Sequence, residues 1–210
     1  MKSLLLPAIL ASVTFTATAD AAIVYSGVRN IAIPQTLEGA YLRISDGATS
    51  GAFPADWSTA PWLNPFFGGV DIANSPQLRP IITGTSQIVN LAPGTLINSA
   101  SNFVAGESGS STHVGPGAGQ FTLGTPGIIG LSFNSAVGNP DLYGWIRIAI
   151  SNSGSGQIVD WAFQSTPGTA IQAGQIAVVP EPGWDSRTLL LAMVGSSLLF
   201  RRRCAVSENT

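Results

Sequence analysis

Hydrophobic and polar positions alternate most cleanly in Tyr143-Gly144-Trp145-Ile146-Arg147-Ile148-Ala149-Ile150, where Ile146, Ile148 and Ile150 share one face and Trp145, Arg147 and Ala149 the other. A period of two is that of an extended strand, and the isoleucine face is the one that water expels. After a Ser/Gly-rich turn at 151–156, the next stretch groups Val159, Trp161 and Phe163 on one side and sets Asp160 opposite. With residues 128–133 these segments form an antiparallel meander in which Arg147 and Asp160 meet across a hairpin, a pairing worth little if it is exposed.

The same texture runs through residues 22–177, where Gly and Pro punctuate short β-branched and aromatic segments every 8 to 12 residues. That spacing belongs to sandwiches and barrels rather than to helical or alternating α/β domains. The pattern predicts strands at 22–25, 28–33, 40–45, 66–72, 86–91, 95–98, 121–123, 128–133, 142–150 and 157–163, and no helix among them. The expected fold is all-β, an antiparallel, jelly-roll-like β-sandwich in one domain, since about 156 residues suffice for one sizeable core.

Both ends of the chain break the pattern. Lys2, an apolar stretch at 4–15 interrupted by Pro7, and then small residues have the layout of a secretory signal peptide, and Ala19-Asp20-Ala21 or Ala17-Thr18-Ala19 suits its removal. The reading adopted is a signal helix over 1–21. At the other end Val179-Pro180-Glu181-Pro182 precedes an apolar run at 188–200 and the cluster Arg201, Arg202 and Arg203. Apolar side chains partition into lipid, whereas adjacent guanidinium groups resist translocation and stay cytoplasmic, leaving the bulk of the chain outside. The run is only 13 residues long, short of the roughly 17 to 25 of a stable span. Extending it back to Gly183 takes in Asp185 and Arg187, tolerable at headgroup level beside Trp184. The result is a single hydrophobic helix that anchors marginally.

This tripartite tail at 178–203 resembles the PEP-CTERM sorting signal of bacterial envelope proteins. The resemblance implies recognition at Pro180, Glu181 and Pro182 by exosortase, a membrane-embedded cysteine transpeptidase, after export by the general secretion machinery. The chain would be anchored transiently in the inner membrane and end on the cell surface or in the extracellular matrix. It departs from the usual layout in Asp185, Arg187 and a further cytoplasmic tail at 204–210. Tyr143-Gly144-Trp145-Ile146-Arg147, Asp160-Trp161-Ala162-Phe163 and Ala170-Ile171-Gln172-Ala173-Gly174 also resemble a recurrent ending of PEP-CTERM exterior domains. Tyr25-Ser26-Gly27, Ile33-Pro34 and Gly39-Ala40-Tyr41-Leu42 are similar to their beginnings. That likeness implies a shared β fold and no activity.

Charge narrows the function. Charged residues are 10% of the chain, and residues 22–177 carry Arg29, Arg43, Arg79 and Arg147 against seven acids. Such a surface has no basic stripe with which to release counterions from phosphates, which argues against nucleic acid as a partner. The single cysteine, Cys204, lies beyond the arginines, so the exterior domain has no disulfide framework.

The catalytic inventory is thin. His113, the one histidine, sits in a Gly/Ser-rich loop beside Ser110 and Ser111 without a nucleophile-elbow pattern, and zinc constellations lack ligands. Asp46, Asp56, Asp71, Glu107 and Asp141 supply carboxylates for glycoside hydrolysis, although turn chemistry explains most of them. Asp71, Asn139 and Asp141 offer oxygens to calcium without a recognisable loop spacing. The expectation is a non-enzymatic protein with no cofactor and no metal. Carbohydrate binding is the alternative: Trp57, Trp62, Phe66 and Phe67 crowd a Pro/Gly-rich loop with Asp56 and Asn64, and aromatic faces beside amide and carboxylate groups suit the sugars of an exopolysaccharide. The competing reading of that cluster is a hydrophobic plug beneath a long loop.

Overall fold

The computed structural model describes residues 22–84, 87–104 and 119–177. The expected signal helix, the C-terminal hydrophobic helix, the sorting motif at Pro180, Glu181 and Pro182, and Arg201, Arg202 and Arg203 all lie outside these residues. What is described is all-β with antiparallel sheets.

The largest sheet is built on three long strands, β9 (Pro126–Phe133), β10 (Leu142–Ala149) and β11 (Gly156–Gln164), which pair as the meander anticipated from the alternation. Two short strands, β1 (Ile23–Tyr25) and β2 (Ile31–Ile33), lie end to end along the free edge of β11. On the opposite edge β7 (Leu78–Pro80) pairs with β9 and ends in Pro80, which cannot donate to a further strand. A second sheet runs β4-β3-β5-β6, with β3 (Tyr41–Arg43), β4 (Thr49–Ser50), β5 (Trp62–Phe66) and β6 (Asp71–Asn74). A two-stranded ribbon joins β8 (Leu96–Ile97) to β12 (Ile171–Gln172).

Ile146, Ile148 and Ile150 are fully buried and meet Leu42, Leu63 and Ile72 of the second sheet in one continuous cluster. The isoleucine face is thus core, as its period requires. The opposite face of β10 is also covered. Tyr143 and Trp145 join Ile97, Ile128, Ala162 and Ile171 in a second cluster beneath the β8–β12 ribbon. The Trp145 indole N–H donates to the carbonyl of Gln175 at 2.9 Å, tying the end of the domain to the middle of the large sheet.

One predicted side-chain grouping is corrected by a β-bulge. Arg147 pairs with Asp160 and Ile148 with Ile158, so Val159 has no partner on β10. An extra residue reverses the facing of everything before it. Ile158 therefore enters the core with Trp161 and Phe163, and Val159 does not. The Val159 carbonyl instead accepts the backbone N–H groups of Arg29 (2.8 Å) and Asn30 (3.2 Å), in the gap between β1 and β2.

The bulge sets Asp160 opposite Arg147, and the pair is not the exposed one that would contribute little. Asp160 is 0% exposed and the Arg147 side chain 35%. Arg147 Nε donates to Asp160 Oδ1 at 2.9 Å, Nη2 donates to Oδ2, and the Tyr25 hydroxyl donates to Oδ2 at 2.9 Å. The hydrogen bond to Asp160 is the main reason that the Tyr25 phenol titrates above its ordinary value, and burial adds to it. A buried carboxylate is tolerable only with such a set of donors.

The strand expected at 66–72 is two strands divided by a turn. Phe67, Gly68 and Gly69 all have positive φ (48°, 68° and 90°), which ends β5 at Phe66 before β6 begins at Asp71. Gly68 is held on both sides: its N–H donates to Pro34 O (3.1 Å) and its carbonyl accepts Ser151 N–H (3.0 Å). A Cβ there would lie 2.1 Å from Ser151 O, so only glycine fits. β5 itself falls where a loop was expected, because Pro65 speaks against a central strand. The strand tolerates it since the β3 ladder stops at Leu63 and Pro65 only accepts, from Ala40 N–H at 3.0 Å. Of the strands expected at 86–91 and 121–123, residues 87–91 and 121–123 form no regular strand, although Ile88 and Phe121 are fully buried.

Replacing Asp160 with Ala is expected to cost about 3 kcal/mol, the lower end for breaking a buried pair because the abandoned Arg147 reaches solvent. Asp46→Ala, on the surface, should cost about 1 kcal/mol or less. Urea unfolding of the two variants beside the parent measures both.

Candidate functional site

Of the aromatic side chains singled out as sugar ligands, Trp57 lies in the loop between β4 and β5, Trp62 and Phe66 begin and end β5, and Phe67 follows it. Trp57 and Trp62 are 8% and 5% exposed and form a third cluster with Tyr41 and Ala60. Edge-to-face packing orders it: the Trp57 ring centroid lies 5.8 Å from that of Tyr41 at 87° and 5.4 Å from that of Phe53 at 40°. Trp62 lies under the guanidinium of Arg43, 5.3 Å from its ring, and its indole N–H donates to Asp56 Oδ1 at 2.9 Å. Asn64, also buried, donates to the carbonyl of Glu38 at 2.8 Å. The Phe66 and Phe67 ring centroids lie 5.3 Å apart, tilted at 55°, at the β5 terminus.

Of the six residues, Trp57, Phe66 and Asn64 border one open depression of about 350 Å³. Its remaining wall comes from Leu37, Glu38, Tyr41, Phe53 and Ala73, which the sequence pattern did not single out. The Tyr41 hydroxyl donates to Glu38 Oε2 at 3.1 Å, and burial first, then this bond, raises the phenol's pKa. Phe53 is 65% exposed and Leu37 67%. The alternation of β3 would have found Tyr41, but Phe53 sits in Gly51-Ala52-Phe53-Pro54, where no periodicity marks a ring. Trp62, Asp56 and Phe67 do not line the depression.

The acidic residues fall into separate settings. Asp46 and Asp56 are both bound to Arg43: Nε donates to Asp46 Oδ1 at 2.9 Å, Nη2 to Asp46 Oδ2 at 2.7 Å and Nη1 to Asp56 Oδ2 at 2.7 Å. The Arg43 hydrogen bonds hold the Asp46 carboxyl below the ordinary carboxylate value, with burial opposing them. A general acid needs the reverse shift. Asp141 accepts from Arg79 Nη2 at 2.5 Å and from Asn134 Nδ2 at 2.8 Å, and Asn139 supplies its carbonyl to the same Asn134. Asp71 opens β6 opposite Phe66. Among the described residues no three His, Cys, Asp or Glu side chains gather in a metal-binding group. His113, Ser110, Ser111 and Glu107 lie outside the described residues. No family model matches the chain, and no curated protein or solved structure is significantly similar to it.

Because Trp57 holds the loop to the sheet, Trp57→Ala is expected to lose about 3 to 5 kcal/mol of stability, whereas Phe53→Ala should lose about 1 kcal/mol or less. Denaturant titration separates the two. Asp46 has a depressed titration in the folded state, so its stabilisation is present above the ordinary carboxylate range and lost as pH falls through the folded value. Asp46→Asn should therefore be slightly less stable than the parent at neutral pH and indistinguishable from it in acid, as thermal unfolding across that range will show.

Proposed function

We propose that the chain is an exported, non-enzymatic surface or extracellular-matrix protein, delivered by a PEP-CTERM-like tail and processed by an exosortase. The observation that carries this is the conjunction, in one tail, of Pro180-Glu181-Pro182, the apolar run at 188–200 and Arg201 to Arg203. Neither a short apolar run nor an arginine cluster alone would serve, but together they provide a recognition element, a membrane stop and an orientation. The signal-peptide-like start supplies the export that such a tail presupposes. The described strands support this reading by their position, from Ile23 to Gln172, between the two segments.

In this proposal the exterior domain is a jelly-roll-like sandwich, supported by the core that the large sheet and the β4-β3-β5-β6 sheet share. Among the described residues, the carboxylates of Asp46, Asp56, Asp141 and Asp160 are tied to arginines. A second reading, that this domain also binds carbohydrate, is supported by one observation: a depression lined by aromatic side chains together with an amide and a carboxylate.

Intact-mass measurement on protein from the envelope and the culture medium of an exosortase-bearing host is expected to show loss of about the first 21 residues and truncation near Pro180. Replacing Pro180, Glu181 and Pro182 together with Ala should leave the C-terminal segment attached and the protein in the membrane fraction. Full-length chain recovered from the cytoplasm would remove the proposal.

A further inference from the structure

The depression beside β3 has two properties that restrict what can occupy it. Its accessible apolar surface is not that of the tryptophans, which are spent on packing, but of Phe53, with Leu37 and Phe66 around it. Its one charged lining residue is Glu38, exposed and bound through one oxygen to the Tyr41 hydroxyl. The neighbouring cation, Arg43, is saturated by Asp46 and Asp56 and does not line the site. A volume of about 350 Å³ is at the small end of ligand pockets and accommodates a ring rather than a long chain. The adjoining edge strand β4 is two residues long, too short a template for an added peptide strand.

Resting on the carbohydrate-binding reading, we infer that this depression is a sugar subsite in which Phe53 is the stacking platform, Glu38 is the polar rim, and the ligand is a pyranose that is neutral or carries an amine. The apolar face of a pyranose covers an exposed phenyl ring, and its hydroxyls need acceptors at the edge, which the exposed Glu38 carboxylate provides. A single negative charge at the rim favours a protonated amino sugar and repels a uronate, by an amount that salt reduces. The specificity is thus set by Glu38 and the affinity by Phe53.

The test titrates the full-length chain, in mild detergent, with three trisaccharides: glucosamine oligomer, cellotriose and trigalacturonate, followed by tryptophan fluorescence and ligand-observed NMR. The glucosamine oligomer should bind roughly 2- to 5-fold more tightly than cellotriose, with Glu38→Gln removing the difference. Phe53→Ala should weaken both by about ten-fold while its unfolding midpoint stays close to the parent's, and trigalacturonate should not bind. Binding that survives Phe53→Ala places sugar elsewhere and overturns this site while leaving a carbohydrate-binding role standing. Tight binding of trigalacturonate overturns the charge assignment, and no binding of any of the three overturns both. A dimer that dissociates on Phe53→Ala, with no sugar bound by either form, would make the ring an interface between copies and overturn the subsite.

Discussion

The carboxylate of Asp160, closed off from water inside a sheet, constrains most of what surrounds it. An ionised group in that position needs charge and donors, and it receives them from two different strands: Arg147 on β10 and Tyr25 on β1. The pair fixes the alignment of the central hairpin on one side, and the tyrosine fixes where the first strand lies along the other. The bulge at Val159 turns Asp160 to the same face as Arg147 while its neighbours Ile158 and Trp161 remain in the core. Its carbonyl then captures Arg29 and Asn30, so the break between β1 and β2 is supported by the irregularity it faces. One polar requirement thus specifies register, edge-strand placement and the site of the only recorded slip in the β10–β11 ladder.

Much of this could be read from the chain, and the failures have physical causes. The isoleucine face of β10, the meander and the partnership of Arg147 with Asp160 follow from a period of two and from the spacing across a short turn. The burial of that partnership does not, because Asp160 is also met by Tyr25 of β1, 135 residues away along the chain. Val159 was misplaced since an alternating pattern carries no mark of an inserted residue. β5 escaped notice because Pro65 argues locally for a loop, and only the end of the neighbouring ladder at Leu63 makes it harmless. The three successive positive φ angles at Phe67, Gly68 and Gly69 include a phenylalanine, which no propensity would place there.

The aromatic loop shows the same division. Its composition announced a cluster of rings with polar neighbours, and the rings do gather. Which of them face water was a matter of tertiary geometry. Trp57 and Trp62, the largest, are used as ballast against Tyr41 and Arg43, and the smaller Phe53 is left outside. Large aromatic side chains release the most free energy when buried, so in a domain with no disulfide they are the ones recruited to hold a long loop down.

The bond from the Trp145 indole to the Gln175 carbonyl bears on how such a protein withstands mechanical load. Gln175 lies close to the point where the chain leaves the domain, and Trp145, itself fully buried, belongs to the middle strand of the largest sheet. Tension arriving along the polypeptide from a fixed support would be delivered into the centre of the fold, with Ala173 and Ile171 sharing it through their backbone bonds to Thr95 and Ile97. A pull applied beyond Gln175 therefore loads the Trp145 bond and the β8–β12 ribbon together.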